Sequence, residues 1–407
     1  MNTFKQTYGL KRHSIWEQEP DTDLTQEIIR RPPCKLMLSL NGSCNLRCRH
    51  CMRALRPSLK GGPMGRTLLE SIIECILPHT VAVRLGGNDY GEQLLGDNFG
   101  VFMEAFLSME RRPDLEITTN GILLTEEKAD TLVRADAHVR LSIEGSGAEY
   151  SRVRGRRWDD FIQGIRFLEC AKEAHHDSKA QVTLYICATL DSLDSIKELL
   201  RRPLPGIDSV EVRHFYTHHY RMAMQSLFYN RDLGNAFLGE LRSLAEMSGL
   251  ELKVPGAFES HHLDDAPDFF VGHEAAVRLP CHKPFELVSI LSDGSVYPCC
   301  GTAPKLGTFT PEMKSIESIW NGAAFRYMRR IVNTKDARLD CKRCEDVQTE
   351  PGAFMVGFGS ELIRDMPTKD DRTAGEKARH LIRRGFEKTQ GAIKRLEWLL
   401  LGNKHPF

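Results

Sequence analysis

The chain has 407 residues, 41% hydrophobic and 27% charged, enough for two or three domains with real cores. Its 55 Lys and Arg balance 55 Asp and Glu, which argues against a surface built throughout for nucleic acid. No apolar run reaches the ~18–20 residues of a membrane-spanning helix, and MNTFKQTYGLKRHSIWEQEPD lacks the apolar stretch of a secretory signal, so a cytoplasmic protein is expected.

Residues 1–34 form an extension ahead of the first strand. KLMLSL (35–40) reads as a buried strand that runs into NGSCNLRCRHC. TLLESIIECIL (67–77) has helical spacing, and VAVRL (81–85) is a strand that runs into glycines. NFGVFMEAFLSMERR (98–112) reads as a helix and LEITTNG (115–121) as a strand with a turn. LTEEKADTLVRA (124–135) is a helix with Thr125 as its N-cap and acids behind it. AHVRLSIEG (137–145), QVTLYICATL (181–190) and VEVRHFY (210–216) are strands. WDDFIQGIRFLECAKEA (158–174) and SLDSIKELLRR (192–202) are the helices between them. Strands alternating with helices predict βαβ units and a parallel α/β sheet, either open or a partial barrel. Ligands of such sheets bind at the carboxyl ends of the strands. Those ends carry Asn41–Cys51, GGNDYGE (86–92), Thr119-Asn120-Gly121, Ser142-Ile143-Glu144-Gly145, Ala188-Thr189 and His214-Phe215-Tyr216.

Twelve cysteines in a reducing compartment point to metal binding or buried thiols rather than disulfides. Cys75, Cys170 and Cys187 lie in apolar helix or strand contexts and are expected to pack in the core. Cys34, beside a proline pair, is left open. Cys44, Cys48 and Cys51 form C-x3-C-x2-C, a loop that leaves one position of a metal centre without a thiolate. His50 could complete a zinc site there. Downstream, CHKPFELVSILSDGSVYPCC (281–300) has strand character around a turn at Asp293-Gly294. A capped amphipathic stretch (306–332) and DCKRCED (340–346) follow. Cys281, Cys299, Cys341 and Cys344 suffice for one cluster or a four-cysteine zinc knuckle, and no cysteine follows Cys344. HHYRMAMQSLF (218–228) and AFLGELRSLAEMSGLEL look helical and ELKVPG reads as a strand and turn, which makes 221–275 a bridging helical segment.

LNGSCNLRCRHC resembles the cluster loop of the radical S-adenosylmethionine (radical SAM) superfamily. GEQLL (91–95), LEITTNGILLTEE (115–127) and LSIEGSGAEYSRVRG (141–155) are similar to that family's patterns after the second, third and fourth strands. The resemblance implies a partial (β/α)6 barrel of parallel strands over 35–220. Cys44, Cys48 and Cys51 would hold a catalytic [4Fe–4S] cluster. Gly91 and Glu92 would take the methionyl amino group of S-adenosylmethionine, with Asn88 as rival. Thr119, Asn120, Ser142 and Arg154 would complete the cofactor site. Three positions depart from the pattern. His50 stands where an aromatic is usual, Glu144 replaces an Asp, and Gln93 replaces a Pro, which is expected to loosen that turn. Residues 276–350 resemble the small cysteine-rich SPASM/Twitch auxiliary-cluster domain, in its shorter Twitch form. Cys281, Cys299, Cys341 and Cys344 would hold a second [4Fe–4S] cluster, with Cys300 as alternative to Cys299.

The same resemblance implies an oxidoreductase that cleaves S-adenosylmethionine to a 5′-deoxyadenosyl radical and abstracts hydrogen. The auxiliary cluster would assist oxidation of a sugar or other small molecule, and an electron donor such as flavodoxin or ferredoxin would supply the first electron. A peptide-modifying enzyme is the alternative, and a non-enzymatic zinc-binding protein the reading from another class. Arg213, His214, Tyr216, His218 and His219 are substrate-side candidates, with Asn88, Asp89 and Tyr90 behind them. No dedicated nucleic-acid domain stands out. The basic tail (351–407) reads as an amphipathic helix docked on the body, or as a peripheral contact with an anionic membrane.

Overall fold

The computed structural model describes residues 23–51, 53, 61–86, 91–215, 225–227, 230–255, 257, 280–299, 304–338, 341 and 344, with His214 described by its backbone only. Asn88, Asp89, Tyr90, Tyr216, His218, His219, Cys300 and the basic tail lie outside the described residues.

The expected alternation is present. Strands β1 (Lys35–Leu38), β2 (Ala82–Leu85), β3 (Asp114–Thr119), β4 (His138–Ile143), β5 (Gln181–Ala188) and β6 (Ser209–His214) pair in parallel in that order. Helices α1 (Arg66–Cys75), α2 (Asn98–Ser108), α3 (Glu126–Arg134), α5 (Trp158–Ala174) and α6 (Leu193–Arg201) connect them. Thr125 caps α3 as expected, its hydroxyl accepting from Lys128 N at 3.3 Å. GAEYSRVR, read only as a motif, folds into helix α4 (Gly147–Arg154), which stops at Gly155 in the left-handed region. After α7 (Arg231–Ser248), β7 (Glu251–Lys253) extends the parallel series beside β6.

The sheet does not end at β1. A one-turn helix α8 (Lys283–Glu286) leads into β8 (Leu287–Ile290), which pairs with β1 in parallel, from Lys35↔Leu287 to Leu38↔Ile290. Strands β9 (Ser295–Tyr297) and β10 (Gly307–Thr308) continue antiparallel. The result is one ten-stranded sheet in the order β10-β9-β8-β1-β2-β3-β4-β5-β6-β7. The cysteine-rich region that follows the barrel, as expected, adds its strands to the same sheet. The turn at Asp293-Gly294 is confirmed, with Gly294 at φ +81°. The amphipathic stretch after it is broken into α9 (Glu317–Trp320) and α10 (Ala323–Val332).

Side-chain alternation gives the sheet two different faces. Val139, Leu141 and Ile143 on β4, with Val182, Leu184 and Ile186 on β5, join Phe102, Phe106, Leu132, Phe161 and Leu168 of the helices in one buried cluster. The other face carries charge. Arg84 meets Glu116, and Arg140 bridges Glu116 (3.0 Å) and Glu211 (2.9 Å) while its guanidinium lies 3.9 Å from the Tyr185 ring centroid. Burial alone would raise the Glu116 carboxyl, but Arg84 and Arg140 outweigh it and bring it down to about 2.

The segment ahead of β1 is strapped to α9 and the residue that follows it. Asn321 accepts from Ile29 N (3.0 Å) and donates to Ile29 O (2.9 Å), and Trp320 Nε1 donates to Arg31 O (3.0 Å). Among the described residues no helix is long and apolar enough to cross a membrane. Of the cysteines assigned to the core, Cys75 packs against it, but Cys170 is exposed on α5.

Candidate active site

The loops after β1, β2 and β3 are tied into one unit. Leu40 N donates to Gln93 Oε1 (2.7 Å), Asn41 Nδ2 to Leu95 O (2.7 Å) and Glu92 N to Ser43 O (2.7 Å). Gln93 is fully buried and also donates to Gly91 O at 3.2 Å. It therefore fastens the turn it was expected to loosen, because its amide reaches two backbone groups that proline leaves unserved. At Gly91 an added Cβ would stand 1.7 Å from Asn41 O, so no other residue fits.

Glu92 is buried, and its carboxylate accepts from Thr119 Oγ1 (2.7 Å), Asn120 N (2.9 Å) and Leu94 N (3.1 Å). Burial pushes this carboxyl up and the three hydrogen bonds oppose that. Glu92 acts first as the knot between the β2 and β3 loops. Asn120 extends the chain of contacts, donating through Nδ2 to Asn45 Oδ1 at 2.8 Å, with Cys44 Sγ at 3.9 Å.

Cys44, Cys48 and Cys51 are free thiols. Leu46 N donates to Cys44 Sγ (3.4 Å), Cys51 N to Cys48 O (3.1 Å), and Arg49 N to Val153 O on α4 (3.2 Å). Burial pushes the Cys44 thiol up and the Cys48 thiol up to about 12, with both other thiols of the loop acting on Cys48. Among the described residues no three His, Cys, Asp or Glu side chains gather as a single metal ion requires.

At the end of β4 the two remaining departures from the pattern meet. His50 Nε2 is 3.0 Å from Glu144 Oε1, and Arg154 forks both Glu144 oxygens at 2.7 Å while reaching Ser142 Oγ at 3.1 Å. Burial would raise Glu144; Arg154 and then His50 overcome this and bring it down to about 2. The His50 ring also packs on Phe215 in a T-shaped contact, with ring centroids 5.7 Å apart, so the loop is held against the residue after β6 as well.

Cys187 corrects the core assignment made from sequence. It shares the polar face of β5 with Tyr185, and Glu144, Arg154 and Arg213 act on its thiol, which burial pushes up to about 12. Its apolar neighbours in sequence point to the opposite face. Arg213, the substrate-side candidate with a described side chain, is half-exposed and donates to Glu211 Oε1 at 3.4 Å.

The second cysteine group lies elsewhere. Cys281 precedes α8, and the β8–β9 hairpin brings the chain back so that Cys299 also stands at the amino end of β8. The Cys344 amide donates to Cys341 O at 3.4 Å. Cys281, Cys299 and Cys341 are partly buried against the core.

The sequence profile of the Radical SAM superfamily matches residues 38–202, and that of the SPASM iron-sulfur cluster-binding domain residues 281–345. The chain belongs to the radical SAM superfamily. It is a radical SAM enzyme with a SPASM domain, and these two domains imply S-adenosylmethionine and [4Fe–4S] clusters rather than a non-enzymatic protein.

Among curated relatives, GTP 3′,8-cyclase of Xanthomonas campestris pv. campestris is 36% identical over 108 residues, 25% of this chain and 31% of the relative. The S-adenosyl-L-methionine-dependent 2-deoxy-scyllo-inosamine dehydrogenase of Niallia circulans is 26% identical over 113 residues, 28% of this chain and 45% of that protein. The aligned stretches thus span less than half of either relative. The solved structure of histidine-tagged anSMEcpe with bound AdoMet shares the fold, with a TM-score of 0.53 at 18% identity, covering 82% of this chain and 92% of that one.

The residues of this radical SAM enzyme fit a cluster at the β1 loop. The donor set is three thiols, the form that binds iron once deprotonated. Beside Cys44, Asn45 Nδ2 is buried without a hydrogen-bond partner, a donor suited to a thiolate or sulfide.

Proposed function

We propose that Cys44, Cys48 and Cys51 ligate the radical-generating [4Fe–4S] cluster and that Cys281, Cys299, Cys341 and Cys344 ligate an auxiliary one. The reaction is oxidation of a small, hydroxylated substrate such as a sugar. When bound, these groups and S-adenosylmethionine supply one-electron sulfonium cleavage, hydrogen abstraction and uptake of a second electron, so that an alcohol becomes a carbonyl with loss of a proton.

The observation that supports this reading is the placement of the two cysteine groups. The first group follows the carboxyl end of β1, and two members of the second, Cys281 and Cys299, stand at the amino end of β8, its parallel neighbour. A strand of this length spans roughly 13 Å. The auxiliary group therefore stands back from the mouth of the sheet, suited to taking an electron rather than to touching substrate.

The chain's own residues prepare the mouth. Gly91 allows the β2 loop to lie against Asn41. Gly91, Glu92, Thr119 and Asn120 present the edge on which the methionyl group is held, while Ser142, Glu144 and Arg154 form the opposite wall. Arg213, at the end of β6, faces the substrate side and orients an anionic or hydroxyl group. A flavodoxin or ferredoxin supplies the first electron.

Iron, sulfide and zinc are to be measured after anaerobic reconstitution, in wild type and in a Cys44/Cys48/Cys51→Ala variant. About eight irons falling to about four is the expected result. Zinc without iron, or iron that vanishes wholly in the variant, would overturn the assignment.

A further inference from the structure

Helix α10 holds the loop that begins at Cys281. Asn333, its C-cap residue, accepts from Cys281 N through Oδ1 (2.8 Å) and donates to Cys281 O through Nδ2 (3.2 Å). One turn earlier on the same helix, Arg329 donates from Nε to Pro284 O (2.9 Å) and from Nη1 to Glu27 O (2.8 Å) and Asn321 Oδ1 (3.2 Å). The residue is 2% exposed, and its guanidinium lies 4.2 Å from the Trp320 ring centroid.

The acceptors are two carbonyls and an amide, all neutral, and Nη2 has no hydrogen-bond partner. Among the described residues no carboxylate pairs with Arg329. A second buried cation, Lys35 on β1, meets the end of α8, but Glu286 neutralises it at 3.0 Å. Natural proteins seldom bury a guanidinium without an acid. An unpaired one leaves a positive charge in a low-dielectric setting that a nearby negative group can use.

We propose that Asn333 and Arg329 are positioning residues for the auxiliary cluster: Asn333 fixes the backbone of its first ligand, and Arg329 supplies the net positive charge beneath that loop. The inference rests on the ligand assignment made above. A cluster held by four thiolates gains negative charge when it takes an electron. A buried cation nearby stabilises that reduced form and raises the midpoint potential, through low-dielectric charge interaction. That is the direction an acceptor of substrate electrons needs.

The test uses full-length protein carrying Cys44→Ala, Cys48→Ala and Cys51→Ala, so that the auxiliary cluster alone gives an electron paramagnetic resonance signal. Its midpoint potential is measured by redox titration in this background and with Arg329→Gln or Arg329→Lys added. Gln is expected to shift the potential negative, and Lys to keep it near that of the parent. Equal potentials in all three would overturn the role of the charge. Asn333→Ser, which leaves the buried cation in place, is expected to release iron from this cluster to a chelator several-fold faster. An unchanged rate would overturn the role of Asn333. A parent protein that binds no iron would instead overturn the ligand assignment, a result distinct from either.

Discussion

His50 Nε2 and Glu144 Oε1 stand 3.0 Å apart, joining the cysteine loop to the end of β4. Each residue departs from the family pattern, and the two departures are one feature. A shorter Asp forking Arg154 would not reach the imidazole, and an ordinary aromatic would offer Glu144 nothing polar. Coupled substitutions should therefore behave as a pair. His50→Phe and Glu144→Asp are each expected to destabilise the protein by about 1–3 kcal/mol. The double variant should cost less than the sum, with a coupling of about 0.5–3 kcal/mol. Chemical unfolding of the four proteins checks this; strict additivity would mean the contact carries no energy.

Restoring the usual proline at position 93 is expected to harm the protein. Gln93→Pro strands Leu40 N, a buried donor that now has a 2.7 Å acceptor. An unsatisfied buried amide costs about 1–3 kcal/mol, and a loss of that size is expected. A thermal-unfolding midpoint equal to or above wild type would refute the role given to Gln93.

Gly91→Ala forces a methyl group into Asn41 O. The backbone of the β2 loop must move, at a cost of at least about 1–3 kcal/mol. Because the same loop borders the proposed methionyl site, binding of S-adenosylmethionine to reconstituted protein should weaken in calorimetry. Wild-type affinity in a folded Gly91→Ala protein would show that the β2 loop does not touch the cofactor.

Glu116 predicts an acid dependence. Its folded value, about 2, lies below the ordinary 4.5. The carboxylate therefore contributes stability that is fully present above the ordinary value and is lost as pH falls through the folded one. Glu116→Gln leaves Arg84 and Arg140 facing a neutral amide, and a loss of about 3–5 kcal/mol is expected near neutrality. The gap to wild type should narrow as pH falls from about 5 to about 2. A constant gap, measured by urea unfolding, would contradict this account.

Six strands, the N-cap at Thr125 and the placement of motifs at strand ends are legible in the sequence because each rests on local pattern. Hydrophobic period and cap chemistry are written within a few residues. The joining of β8 to β1 is not legible, since nothing local in LVSI names a partner so far away in sequence. Cys187 misleads for a related reason. Its neighbours Ile186 and Ala188 are buried on the opposite face, and an eight-residue strand does not say which side faces the ligand. The Glu144–His50 contact stays hidden as long as each residue is compared with a family pattern by itself.

The pairing of β8 with β1 also shapes how the chain folds. Lys35 waits for Glu286, 251 positions later, before its ion pair and its strand neighbour exist. Until then the outer edge of β1 offers unpaired amides and carbonyls to any passing strand. Such long-range closure is slow. A nascent chain stopped before β8 would thus carry the complete cysteine loop beside an open, adhesive edge. Coexpressed chaperones, rather than added iron, are what should rescue yield of such truncated chains.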